Sequence, residues 1–160
     1  MEFKTTDLCD QFASQAAVCE DIFTSFGGRK RFSGPIATVR VFEDNVLVKE
    51  MIETVPAGTV LVVDGGGSRR CALLGDRLAA IAMERGIVGL IIHGCVRDTE
   101  ELSRMDIGVL ALGKVPLRSR KEGTGAVGEP LRFAGVDWIP GHHVYVDEDG
   151  VVLFPQKMEE

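Results

Sequence analysis

The sequence predicts an α/β fold: a single domain over residues 1–160 with a mixed sheet. Three observations lead there. Two uninterrupted apolar runs, Val60 to Val63 and "VGLIIHG" at 88–94, have the composition of strands buried on both faces. Between them lies a stretch of helical period that stops at Gly86, which makes the centre of the chain a βαβ-like unit. Near the C-terminus alternating apolar residues flank Asp149-Gly150, a hairpin signal that adds antiparallel strands.

Taken in order, "TTDLCDQFASQAAVCEDIFTSF" opens on a plausible helix cap and carries Leu8, Phe12, Ala16 and Cys19 at near-helical spacing, predicting one or two short helices. After Gly27 and Gly28, "FSGPIATVRVF" alternates as a half-buried strand does. "NVLVKEMIETVPAG" is a short amphipathic element ending in a turn, and "TVLVVDGGG" is the first buried strand. The helix that follows is expected to hold Leu74, Leu78, Ile81, Ala82 and Met83. "VGLIIHG" is the second buried strand, and "TEELSRMD" with "IGVLALG" supplies a helical turn and another. Residues 114–127, charged and without period, read as a surface loop, and "RFAGVDWI" with "HHVYVDEDGVVLFP" returns to strands. His93 reads as a satisfied strand-end histidine, His142 and His143 as loop residues, and Trp138 and Tyr145 as core or interface.

A chain of 160 residues, 45% apolar and 26% charged, falls in the range of ordinary soluble domains and outside the disordered and membrane classes. No window approaches the roughly 18 apolar residues of a spanning helix, and the acidic, polar N-terminus lacks the pattern of a signal peptide. A cytoplasmic location is expected. The four cysteines form no CxxC pair, so reduced, mostly buried thiols are expected rather than a zinc site or disulfide framework. A net charge of −6 repels a phosphate backbone and argues against direct nucleic-acid binding.

Ligands of open α/β sheets bind beyond the carboxyl ends of the strands. Two such ends are polar here: Asp64 to Gly67, and "IIHGCVRD" ending at Asp98. One carboxylate, several waters and a chelating substrate make an ordinary magnesium shell, which suits Asp98 as a direct ligand with Asp76 orienting a water nearby. Arg97 offers a planar fork for a carboxylate or enolate oxygen. The glycine run and the loop up to Leu78 are expected to supply backbone N–H groups for the rest of the anion. The same spacing fits a purely structural reading, in which Asp76 charges a helix N-terminus and Asp98 pairs with Arg97 or caps the next helix. Arg69 and Arg70 fit either an anion-attracting role or a solvated face, and no lysine is expected in the mouth.

The block "GGGSRRCALLGDRLAAIAMERGIVGLIIHGCVRD", followed by "DIGVLALGKVP" and "VDWIPGHHVYVDEDGVVL", closely resembles the RraA-like family. That family contains the regulator of ribonuclease activity A, once misnamed a menaquinone-pathway methyltransferase, and the metal-dependent 4-hydroxy-4-methyl-2-oxoglutarate aldolases. The aldolase branch carries an acid, twenty intervening residues, then Arg-Asp; here residues 77 to 96 separate Asp76 from Arg97-Asp98. The resemblance implies a ββα sandwich of the swivelling phosphohistidine-domain type and a homotrimer with its site near a subunit boundary. It implies that Gly75, Asp76, Arg77, Leu78 and Arg97 hold a small 2-oxo acid, that Asp98 holds Mg²⁺ or Mn²⁺, and that Asp76 and Arg97 are catalytic. The implied activity is a carbon–carbon lyase, cleaving 4-hydroxy-4-methyl-2-oxoglutarate to two pyruvates with oxaloacetate decarboxylation alongside. The alternative is an inhibitor that acts by binding ribonuclease E.

Overall fold

The computed structural model describes residues 2–159. Its elements in chain order are α1 (Thr5–Gln11), β1 (Ala17–Val18), β2 (Thr24–Ser25), β3 (Phe32–Arg40), α2 (Val46–Thr54), β4 (Val60–Asp64), β5 (Ala72–Leu74) and α3 (Asp76–Glu84). There follow β6 (Gly89–Val96), α4 (Thr99–Ser103), β7 (Gly108–Lys114), β8 (Ala126–Val127), β9 (Leu131–Phe133), β10 (Val136–Trp138), β11 (His143–Asp147) and β12 (Gly150–Phe154).

The sheet is mixed, as the sequence predicts. Its order is β1-β12-β11-β3-β4-β6-β7-β2, with β5 beside β6 and β8 beside β3. The centre, β3-β4-β6-β7, is parallel, while β11, β12, β1 and β2 are antiparallel to their neighbours. Both faces of the parallel centre are covered, which explains its unbroken apolar runs. Leu61, Val63, Leu90 and Ile92 point into a core shared with α2 and α3. Val60, Val62 and Ile91 point the other way, into a core closed by Phe133, Val136 and Trp138. Among the described residues no helix is long and apolar enough to cross a membrane.

Several local expectations need correction. The Thr-Thr-Asp cap does not form: the N-cap is Lys4, without a side-chain hydrogen bond. Asp147 takes that role from across the fold, accepting from the Thr5 N–H at 2.8 Å and the Thr5 hydroxyl at 2.7 Å. One helix forms in this segment, within the one or two expected, and after it the chain enters the sheet edge, Ala17 opposite Leu153. Leu74 belongs to β5, not to the helix, because Ala72 and Leu74 pair with Cys95 and Val96 at the end of β6. The hairpin turns at Glu148-Asp149, since Asp147 pairs with Gly150; the Asp147 carboxylate accepts the Asp149 N–H and fixes that turn. His143 opens β11 and is buried, and that burial lowers its pKa, with Lys157 acting in the same direction. Trp138 and Tyr145 are core residues, and Cys19, Cys71 and Cys95 are buried free thiols.

Candidate active site

Strand β5 creates the site. Its pairing sets Leu74 opposite Val96, and the Arg97 N–H donates to the Leu74 carbonyl at 3.0 Å. Residues 75–78 therefore emerge directly beside residues 97 and 98. Asp98 takes a left-handed conformation, φ 57°, ψ 45°, which Asp tolerates better than most residues. Although it occupies the N-cap position of α4, its side chain makes no cap there. Its Oδ2 instead accepts the Asp76 N–H at 3.0 Å, so the carboxylate closes the N-terminus of the neighbouring helix, α3.

Gly75 makes this contact possible. A Cβ there would stand 2.6 Å from Asp98 Oδ2 and 3.4 Å from Arg97 Cγ and Nε, so only a glycine lets the three residues close up. Asp76 sits in the first turn of α3, where its charge faces the positive helix end. Arg97 extends along the same opening, its Nη1 reaching the Pro116 carbonyl at 3.4 Å. Among the described residues, neither Asp76, Arg97 nor Asp98 is in an ion pair.

The structure brings Gly75, Asp76, Arg77, Leu78, Arg97 and Asp98 to one cleft of about 1120 Å³. The rest of the lining includes residues that the sequence did not single out: Asn45, Lys49, Glu50 and Glu53 at and along α2, and Arg118, Ser119 and Lys121 from the long loop. Two lysines thus line the mouth where none is expected. What holds this wall is Asp44, fully buried. One of its oxygens accepts the Val46 N–H at 3.1 Å; the other accepts the Glu122 and Gly123 N–H groups at 2.9 Å each and the Thr124 hydroxyl at 3.3 Å. Burial alone would raise the Asp44 carboxyl, but these N–H donors outweigh it and hold it below the usual carboxylate range. Asn45 continues the link, donating to the Leu73 carbonyl at 3.2 Å and accepting from Lys121 Nζ at 3.1 Å.

The glycine run does not reach the cleft. Its N–H groups are spent inside the fold: Gly65 and Gly67 donate to the His93 carbonyl, and Gly66 donates to Asp64 Oδ1. His93 stays outside the site, 3.3 Å from Asp64 and stacked on Phe133. Arg70 turns to Glu43 at 2.6 Å, and Arg69 reaches the Leu112 carbonyl.

No group of three or more His, Cys, Asp or Glu side chains among the described residues is placed to hold a metal. The cleft is lined instead by carboxylates on separate elements, Glu50 and Glu53 of α2 with Asp76 and Asp98, of which Asp98 is fixed by accepting the Asp76 N–H. That donor set suits a hard, largely hydrated divalent cation and does not suit a zinc-type cage.

Comparison with known proteins agrees with this architecture. The family model described as RraA-like, Aldolase/RraA, matches residues 5–153. A Bacillus cereus protein provisionally named 4-hydroxy-4-methyl-2-oxoglutarate aldolase is 58% identical, covering 94% of this chain and 95% of its own. The Thermus thermophilus protein named 4-hydroxy-4-methyl-2-oxoglutarate aldolase is 52% identical, over 98% of this chain and 94% of its own. A solved Thermus structure described as the RNA-processing inhibitor RraA superposes with a TM-score of 0.95 at 50% identity, covering 99% of this chain and 96% of that one. With its parallel centre, its β5-to-β6 register and these relatives, the chain belongs to the RraA-like family.

Proposed function

We propose that the protein is a divalent-metal-dependent class II aldolase that cleaves 4-hydroxy-4-methyl-2-oxoglutarate to two pyruvates and decarboxylates oxaloacetate as a side reaction. The observation that carries this reading is the Asp98 carboxylate held on the Asp76 N–H at the start of α3, beside Arg97 in the cleft. Asp98 would hold Mg²⁺ or Mn²⁺; when bound, the cation supplies Lewis acidity at the 2-oxo group. The first-turn N–H groups of α3 and the Arg97 guanidinium bind the pyruvoyl half of the substrate. A water oriented by Asp76 takes the C4 hydroxyl proton. The C3–C4 bond breaks, its electron pair passes to the enolate of the first pyruvate, and C4 becomes the keto carbon of the second. Arg97 holds the enolate oxygen until C3 takes up a proton. Loss of CO₂ from oxaloacetate leaves the same enolate, hence the second activity.

Pyruvate release from both substrates, measured with Mg²⁺, with Mn²⁺ and with EDTA, tests the proposal. Activity with either cation, loss in EDTA, and loss in Asp98→Asn are expected; silence under every condition refutes it. A second reading follows from the likeness to the RNA-processing inhibitor: binding to ribonuclease E through the acidic surface, as a homotrimer. Failure to retain ribonuclease E in a pull-down at micromolar concentration rejects it.

A further inference from the structure

Among the described residues, the non-glycine positions with a left-handed φ are Glu43 at 57°, Asp98 at 57° and Ala134 at 55°. Ala134 shares the turn between β9 and β10 with Gly135, φ 76°, the ordinary place for such angles. Asp98 belongs to the candidate site. Glu43 is neither a hairpin residue nor part of the cleft lining, and its residue type is uncommon in that conformation. Strained backbone persists only where the surroundings hold it, and three contacts do so here. One carboxylate oxygen, Oε2, accepts the Ser68 hydroxyl and the Arg70 Nε–H, each at 2.6 Å. The Glu43 carbonyl accepts the Arg120 N–H at 2.8 Å. The Ser68 bond, and after it the Arg70 bond, holds the Glu43 carboxyl below the usual carboxylate range, so it stays an ionised acceptor at neutral pH.

These contacts reach two segments that carry the cleft. Ser68 and Arg70 precede β5, which leads through Leu74 into Gly75. Arg120 stands between Ser119 and Lys121, both in the lining, and its guanidinium turns back to the Phe42 carbonyl at 3.1 Å. The same two segments meet again where the Ala72 N–H donates to the Leu117 carbonyl at 2.7 Å. A glycine would make the turn at 43 without strain, but it would hold neither segment.

We infer that Glu43 is a positioning residue for the cleft: from a left-handed backbone it ties the segment entering β5 to the loop after β7, and so fixes the separation of Gly75 from Ser119. This rests on the reaction proposed above taking place in that cleft, and it adds a residue that touches no substrate. Strain at Glu43 is then the cost of the tie, so relieving the strain and keeping the rate are incompatible.

The test compares Glu43→Gly and Glu43→Gln in the whole protein by pyruvate release from 4-hydroxy-4-methyl-2-oxoglutarate with Mg²⁺, by melting temperature and by amide hydrogen exchange. Glu43→Gly removes the strain together with the anchors. Its melting temperature should stay within about 5 °C of the unsubstituted protein, while kcat falls about tenfold or more, as a shift near 1 Å across a site can cause. Glu43→Gln keeps an acceptor for Ser68 and Arg70 and should recover most of that loss. Adding Arg70→Gln to Glu43→Gly should slow turnover no further, because the two residues act through one contact. Full kcat in Glu43→Gly, a melting temperature that collapses along with kcat, or equal losses in the two variants overturns the inference. If the unsubstituted protein releases no pyruvate, the proposed reaction fails instead, and exchange decides the tie. Faster exchange of the Ala72 and Arg120 N–H groups in Glu43→Gly, with residues 151–153 of β12 unchanged, supports it; unchanged exchange throughout overturns it.

Discussion

Gly75→Ala isolates the contact on which the site depends. The backbone at Gly75, φ −130° and ψ −168°, is extended and open to any residue, so alanine brings no torsional strain. The new methyl group meets Asp98 Oδ2 at 2.6 Å, and that oxygen must retreat by about 0.8 Å to reach ordinary contact. That retreat strains its 3.0 Å bond to the Asp76 N–H, and losing the bond is the largest cost the change can carry. A hydrogen bond to a charged group contributes about 1.5–3 kcal/mol, and Asp98, being only half-buried, recovers part of this from water. The melting temperature should therefore fall by less than about 10 °C. Chemistry should suffer far more, because a displacement near 1 Å at a reacting centre costs on the order of 10²-fold in rate. Pyruvate release coupled to NADH oxidation by lactate dehydrogenase measures the one, and circular dichroism on heating the other. An alanine variant as active as the unsubstituted protein would show that the Gly75–Asp98 approach has no part in turnover.

Two further expectations concern pH. The Asp44 carboxyl is held low in the fold, so its contribution is complete above its unfolded value of about 3.9 and is lost as the pH falls through the folded value. Asp44→Asn should cost about 1–3 kcal/mol near neutral pH and flatten the decline in melting temperature between about pH 5 and pH 2; parallel curves for the two proteins would refute this. The neutral form of buried His143 is favoured by the fold, so its contribution is complete above about pH 6.5 and is lost as acid drives the pH below that. His143→Gln should flatten the stability slope between about pH 7 and pH 5, as urea unfolding at several pH values will show.

The parallel centre of the fold was legible because burial on both faces leaves its mark in each strand separately: "VLVV" and "GLIIHGCV" need no partner to be recognised. Spacing alone left Asp76, Arg97 and Asp98 open to a purely structural reading, and it was the resemblance to a known family that drew them together as a candidate site; the structure brings the three to one cleft. Strand β5 was not legible, since three residues have no period and Ala72 to Leu74 are extended only because β6 and Leu117 offer hydrogen bonds. The opposite wall stayed hidden for a different reason. Asp44 sits in sequence where a helix cap would, and it does accept the Val46 N–H, but its larger task joins it to residues 78 to 80 positions away. The glycine run misled because a helix-entry signature says nothing of whether its N–H groups are already taken by a neighbouring strand.

The segment from Gly75 through Val96 leaves the edge of a two-strand ladder and comes back to the same rung. It is a circuit of fixed circumference: helix, turn and strand must together use up their residues so that departure and return coincide. Surface substitutions on α3 beyond Leu78 and in the turn that follows it are tolerable. Removing or adding a single residue between α3 and β6 would slide Gly75 to Leu78 past Arg97 and Asp98, and within β6 it would also turn that strand's buried side chains to the wrong face.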